Sequence, residues 1–327
     1  MEQRILGGTE RSVGVVGLGA WQLGADWGHV SEDEAMAVLA TAVDDGVTFI
    51  DTADVYGDGR SERLIGRFLR ERGEIGLTVA TKMGRRVPQE PQAYSLDNFR
   101  AWTDRSRENL GVGTLDLVQL HCPPTEVFHT DAVFDALDTL VAEERIAAYG
   151  VSVETCDEAL AAIARPGVAS VQIILNTLRL KPLEAVLPAA AQAGVAIIAR
   201  VPLASGLLSG RYDEQTTFPD DDHRTYNRHG EAFDVGETFS GVDYAIGLAA
   251  VRRLSALVPD KATTAQFALR WIIDQPGVTV VIPGARNPAQ AKANAEAAAL
   301  APLDEPVQAA VKQIYDELIR PQLHHRW

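Results

Sequence analysis

Four residues in the first half of the chain, Asp51, Tyr56, Lys82 and His121, are of the types that carbonyl reduction requires. Such a reaction needs a hydride at carbon and a proton at oxygen, so a positioned proton donor is required. Tyrosine is neutral at working pH and can donate, but its ordinary pKa of about 10 makes it a reluctant acid. A lysine ammonium nearby favours the phenolate and lowers that value, and an aspartate keeps the ammonium charged and aimed. A histidine can hold the carbonyl oxygen towards both incoming groups. Each residue alone also has a structural reading. Asp51 and Lys82 could be an ion pair between neighbouring strands, Tyr56 a packed loop aromatic, and His121 a satisfied histidine. A lysine at a strand end could instead form a Schiff base, which would make the protein a lyase. The joint placement of the four favours reduction.

That placement comes from an alternation of short β-rich runs with longer amphipathic ones. After a small hairpin over residues 3–15, strands are expected at 15–18, 47–51, 77–81, 115–120, 146–151, 169–173, 195–199 and 278–282. They are rich in Val, Ile, Leu and Phe and apolar on both faces, as in a parallel sheet covered by helices. Helical patterns lie at 32–45, 60–71, 97–110, 130–143, 155–164, 183–193, 243–257 and 288–298. Ser31 and Glu34 have capping-box spacing, and Gly46 and Gly194 stand where helices stop. Eight strand–helix units predict an α/β fold, a (β/α)8 TIM barrel forming one domain over residues 1–327. Extra helices are expected at 262–275 and, near the C-terminus, at 304–319. A doubly wound sheet is the competing fold. However, Gly17-Leu18-Gly19-Ala20-Trp21-Gln22 begins its dinucleotide fingerprint and then places Gln22 where the third glycine belongs. No P-loop is present.

Barrel enzymes build their sites at the C-terminal ends of the strands. Strand two ends at Asp51 with Tyr56 in the loop behind it, strand three at Lys82 and strand four at His121, so the four share one mouth. A long polar loop over 205–240 follows strand seven, and a loop of that length is usually functional or disordered.

Composition narrows the partners. The formal net charge of -15 repels nucleic acid and anionic membranes. Cys122 and Cys156 are the two cysteines and form neither a disulfide framework nor a metal cluster, so no metal is expected. The opening residues, with Glu2 and Arg4, lack the apolar run of a signal peptide, so none is expected, and the most apolar long stretch, Ala185 to Leu203, is broken by Pro188 and Arg200. A cytoplasmic protein is expected, with monomer and homo-oligomer both open.

The segment from Gly46 through Phe49-Ile50-Asp51-Thr52-Ala53-Asp54-Val55-Tyr56-Gly57, continued by Ser61-Glu62 and Ile65-Gly66, resembles the most specific motif of the aldo-keto reductases. Ala80-Thr81-Lys82 and Leu120-His121-Cys122-Pro123 match that superfamily's next two motifs in order and spacing. The long loop and Arg200 are most similar to its bacterial and potassium-channel-β-like branches. The resemblance implies a catalytic tetrad of Asp51, Tyr56, Lys82 and His121, and NADPH bound extended without a Rossmann fold. It places Gly19 and Ala20 at the cofactor, with Ser152 and Gln172 on the nicotinamide carboxamide. Val153 stands where relatives often have Asn, and Arg200 where many have an aromatic that stacks on the nicotinamide. Val201, Leu203, Ser205, Gly206 and Leu207 would cradle the pyrophosphate, with Arg211 as counter-charge and Arg224 reaching across from the loop. Gly284 and Arg286 would take the adenosine 2′-phosphate, with Gln290 beside them and Asn294 on the adenine, which favours NADPH over NADH. Ala293 replaces a common acid. Trp21, Trp27, Met83 and Cys122 are expected around a small-molecule carbonyl substrate. The channel-β likeness also leaves open an NADPH-binding regulatory barrel with negligible turnover.

Overall fold

The computed structural model describes residues 1–24, 30–73 and 76–327; the expectation for Trp27 lies outside them. Strands β1 (Gln3–Ile5) and β2 (Ser12–Gly14) form an antiparallel hairpin. Eight parallel strands follow in sequence order: β3 (Leu18–Gly19), β4 (Phe49–Asp51), β5 (Thr78–Met83), β6 (Leu117–His121), β7 (Tyr149–Ser152), β8 (Val168–Ile174), β9 (Ala196–Arg200) and β10 (Val278–Val281). The ring closes between its ends. Gly17 N donates to the Val281 carbonyl at 2.8 Å, Val281 N to Val15 at 3.0 Å, and Gly19 N to Pro283 at 3.0 Å. The fold is therefore the expected (β/α)8 barrel.

Side chains alternate across a strand, so every second residue enters the barrel. Phe49, Ala80, Leu117, Ala196, Ile198, Val280 and Ile282 form one buried interior cluster, and Leu6 and Val13 of the hairpin join it. The hairpin thus closes the lower end of the barrel. Two residues further along the same strands, the interior face becomes polar: Phe49 leads to Asp51, Ala80 to Lys82, Leu117 to Gln119 and His121, and Ile198 to Arg200. An apolar floor and a polar mouth result.

The helices α1 (Glu32–Asp44), α2 (Arg60–Arg72), α3 (Leu96–Leu110), α4 (Asp131–Ala142), α5 (Cys156–Ile163) and α6 (Val186–Ala193) follow the first six barrel strands. Ser31 accepts from Glu34 N, and Ser31 N donates to the Glu34 carboxylate, so the capping box forms. Gly194 ends α6 at φ +69°, a left-handed stop that glycine takes without strain. Residues 205–240 are more ordered than a structureless loop: 3₁₀ turns and the short α7 (His223–Tyr226) punctuate them. Then come α8 (Tyr244–Ser255), α9 (Thr264–Ile273), α10 (Pro288–Glu296) and α11 (Glu305–Ile314). Residues 304–319 were expected as one helix. Instead α11 passes through a π turn at Tyr315–Ile319 into α12 (Arg320–Leu323). The C-terminal Trp327 is buried under the Arg179 guanidinium, 3.8 Å from its ring centre.

The floor yields a stability test. Leu6→Ala should lower the unfolding free energy in urea by about 2–5 kcal/mol, because it removes a fully buried side chain from the barrel interior. Ile5→Ala, at a side chain 58% exposed, should cost less than about 1 kcal/mol.

Candidate active site

Strand register assembles the mouth one neighbour at a time. Gly19 lies beside Asp51, Lys82 beside Gln119, His121 beside Ser152, Ser152 beside Gln172, and Ile174 beside Arg200. Lys82 is almost wholly buried, and its ammonium has three partners. It donates to Asp51 Oδ2 at 2.5 Å, to the Thr52 carbonyl at 2.9 Å and to the Tyr56 hydroxyl at 3.4 Å. The other Asp51 oxygen accepts from Gln172 Nε2 at 2.7 Å and Gln119 Nε2 at 3.1 Å. The Tyr56 ring meets the His121 imidazole edge-on at 6.0 Å between centres and stacks with Trp21 at 6.2 Å. The four expected residues therefore converge.

Electrostatics define their states. Burial works against the Lys82 ammonium, but Asp51 and Tyr56 outweigh it and its pKa is raised. Burial together with Arg85, Lys82 and Arg200 pushes His121 well below the ordinary histidine value, so it is a neutral imidazole. Its Nδ1 is buried without a hydrogen-bond partner among the described residues. Tyr56 departs from the sequence expectation. Lys82 does pull its pKa down, but burial pushes harder, and Asp51 and Glu237 add to the rise. Tyr56 is thus a neutral phenol in contact with an ammonium, the form that donates a proton.

A cleft of about 900 Å³ runs from this mouth along the C-terminal rim. Its walls include Gly19, Ala20, Trp21, Ser152, Gln172, Arg200, Val201, Leu203, Ser205, Gly206, Arg211, Arg224, Gly284, Arg286, Gln290 and Asn294, all singled out from sequence. Leu207 is fully buried and does not line it. Neither do Met83 and Cys122, which correct the expected substrate pocket. Met83 follows inward-facing Lys82, so strand alternation turns it out into the core behind the sheet. Cys122 takes a left-handed backbone at φ +47° and is buried against Ser152 and Arg200.

Several expected contacts are already committed within the protein. The Gln172 amide holds Asp51, and Asn294 Nδ2 donates to the Gly284 carbonyl at 3.0 Å. Arg224 lines the cleft while making a two-pronged pair with Asp222 and a hydrogen bond to Tyr212. Arg200 does not lie as a free plane. It donates to Glu237 at 2.5 Å, to Glu154 at 2.9 Å and to the Val153 carbonyl at 2.9 Å. Arg85 reaches Glu154 at 3.5 Å from the other side.

Other cleft residues were not picked out from sequence. Lys261 and Glu237 line the cleft. Gln22, noted only as breaking the glycine fingerprint, packs so closely on Gly284 that a Cβ there would lie 2.3 Å from its amide. Gln22 was legible as an anomaly, whereas Lys261 and Glu237 sit in segments without a periodic pattern.

Asp54, between Asp51 and Tyr56, is fully buried, and neither carboxyl oxygen has a hydrogen-bond partner among the described residues. Burial, reinforced by the nearby Glu62 carboxylate, raises its pKa from 3.8 to about 7. Below 3.8 the group is protonated in both folded and unfolded chains. As pH rises towards 7 only the unfolded chain gains by ionising, so stability falls across that window and the full cost is present above it. Asp54→Asn should therefore raise the melting temperature more at pH 8 than at pH 5. An equal shift at both pH values would mean that Asp54 ionises normally.

Among the described residues, no helix is long and apolar enough to cross a membrane. Against known proteins, the model of the Aldo/keto reductase family matches residues 15–316. An NADP(+)-designated aldo-keto reductase of Schizosaccharomyces pombe is 27% identical over 284 residues, covering 84% of this chain and 81% of its own. A D-threo-aldose 1-dehydrogenase from a Pseudomonas species is 30% identical, covering 88% and 90%. The solved structure of a glycerol dehydrogenase from Gluconobacter oxydans superposes with a TM-score of 0.79 at 28% identity, covering 97% of this chain and 95% of that one. With an Asp–Tyr–Lys–His mouth on a closed barrel and a family match over nearly its whole length, the chain belongs to the aldo/keto reductase family of oxidoreductases, acting on carbonyl and CH–OH groups.

Proposed function

We propose that this protein reduces aldehydes or ketones to alcohols with NADPH, reversibly, and that Tyr56 donates the proton. The observation that carries this reading is the neutral Tyr56 hydroxyl held 3.4 Å from a buried ammonium that Asp51 fixes at 2.5 Å. As the carbonyl oxygen gains negative charge it takes the phenolic proton, and the phenolate left behind is stabilised by Lys82. Neutral His121 can donate one hydrogen bond to the same oxygen and so orient it. A Schiff base needs a free amine, whereas Lys82 is held as an ammonium with 1% exposure.

The cleft suits a dinucleotide. Arg211 and Lys261 line it, and neither side chain makes an ion pair or hydrogen bond among the described residues. Val201, Ala204, Ser205 and Gly206 have left-handed backbones, the kind of irregular run that turns N–H groups towards an anion. The Gln22 side-chain oxygen is buried on the cleft wall with no hydrogen-bond partner among the described residues, leaving an acceptor for a ligand donor. Arg286 stands just before α10, whose N-terminus favours an anion, and with Lys261 it supplies charge for a 2′-phosphate. NADPH, when bound, supplies the hydride. The NADP(+) designation of the fission-yeast relative agrees with this choice.

Tyr56→Phe should lower kcat by about 10²–10⁴-fold in NADPH-oxidation assays while fluorescence titration still shows NADPH binding. Turnover equal to wild type would remove the proton-donor role. Arg286→Ala should weaken NADPH by about 10–100-fold, the loss of a charge-assisted contact, and NADH far less. Equal losses would argue against a 2′-phosphate site.

A further inference from the structure

The segment after β9 brings one acid back to the reacting centre. Glu237 closes a 3₁₀ turn at Val235–Glu237. One of its oxygens accepts from Arg200 Nη1 at 2.5 Å, and its backbone carbonyl accepts from Ser205 Oγ at 2.9 Å. The residue is therefore fixed from both ends. Its second carboxylate oxygen accepts no hydrogen bond among the described residues, and its side chain, 12% exposed, lines the cleft with Tyr56, His121 and Trp21. Its neighbours place it at the same mouth as His121. A Glu237 oxygen, a Glu154 oxygen and the Cys122 sulfur lie within 4.8 Å of one another, and Cys122 follows His121 in the chain. Glu237 is also among the charges felt by the Tyr56 hydroxyl.

A fixed carboxylate with a vacant acceptor site has two effects on a carbonyl compound bound at Tyr56 and His121. It accepts a hydrogen bond from a hydroxyl on the compound, and a charged acceptor makes that bond a strong one. It also repels a second carboxylate, because the two guanidiniums nearby are already committed, Arg200 to Glu154 and Glu237 and Arg85 to Glu154 and the His121 carbonyl. Trp21, stacked beside Tyr56, adds an aromatic face for C–H groups.

We propose that Glu237 selects the substrate: its open carboxylate oxygen receives a hydroxyl near the carbonyl, so that the enzyme takes hydroxylated aldehydes and ketones in preference to plain alkyl aldehydes and 2-oxo acids. This rests on the carbonyl-reductase reading above.

The test compares kcat/KM for glyceraldehyde, propanal and glyoxylate in wild type, Glu237→Gln and Glu237→Leu. Glyceraldehyde and propanal share a three-carbon skeleton and differ only in hydroxyls. Wild type should prefer glyceraldehyde over propanal by about tenfold or more, the value of one charge-assisted hydrogen bond. Glu237→Leu should remove most of that preference, and Glu237→Gln, which keeps an acceptor, should lie between. Glyoxylate should gain relative to propanal in both variants. Melting curves and NADPH titration identify variants that fold. Turnover of propanal with an unmoved glyceraldehyde preference in a folded variant overturns this proposal alone. No turnover of either aldehyde by wild type overturns the carbonyl-reductase reading and this one with it.

Discussion

An ammonium taken out of water at a barrel mouth is costly unless an opposite charge and further hydrogen bonds meet it. Lys82 has both. Asp51 meets its charge from the neighbouring strand, and the Thr52 carbonyl accepts a second hydrogen bond from it. Asp51 in turn is held by Gln119 and Gln172, side chains contributed from two more strands. Four of the eight barrel strands therefore share one polar network. Tyr56 lies at its open edge, where the ammonium can stabilise the anion that proton donation leaves.

A second charged group stands beside the first. Arg200 occupies a position where an aromatic was the usual expectation, and its guanidinium is divided between Glu154 and Glu237. One of these acids follows β7 and the other comes from the long segment after β9, so the pair ties that segment to the barrel rim. Removing either acid would leave a buried charge partly unpaired, a more severe change than truncating a surface salt bridge. The end of the 205–240 segment is thus held at the rim by the same need to pair buried charge that shapes the catalytic mouth.

Much of this was legible in the sequence because it depends on local periodicity. Strand ends, caps and the tetrad follow from runs of a few residues and from strands that pair in chain order. Met83 was misplaced through parity: with Lys82 facing inward, its neighbour on the strand faces the other way. Cys122 lies past the end of β6, where a left-handed backbone at φ +47° turns its sulfur against Ser152 and Arg200 behind the cleft wall. Other features were not readable because they depend on distance through space. The Arg200–Glu237 pair joins residues 37 apart, and the Gln172–Asp51 bond joins residues 121 apart. The direction of the Tyr56 shift needed the depth of burial, which types and spacing do not supply. The Gln22–Gly284 contact brings the broken fingerprint against the last strand's loop, giving a packing reason for a residue that looked only like a missing glycine.

The central claim is that Tyr56 is a neutral, half-buried phenol stabilised on ionisation by Lys82. Ultraviolet difference titration of tyrosinate, wild type against Tyr56→Phe, tests it most directly. The account predicts that the Tyr56 component appears only above the ordinary tyrosine pKa of about 10, and at still higher pH in Lys82→Met. A Tyr56 component titrating near neutrality, or one that does not move when Lys82 is replaced, would contradict it.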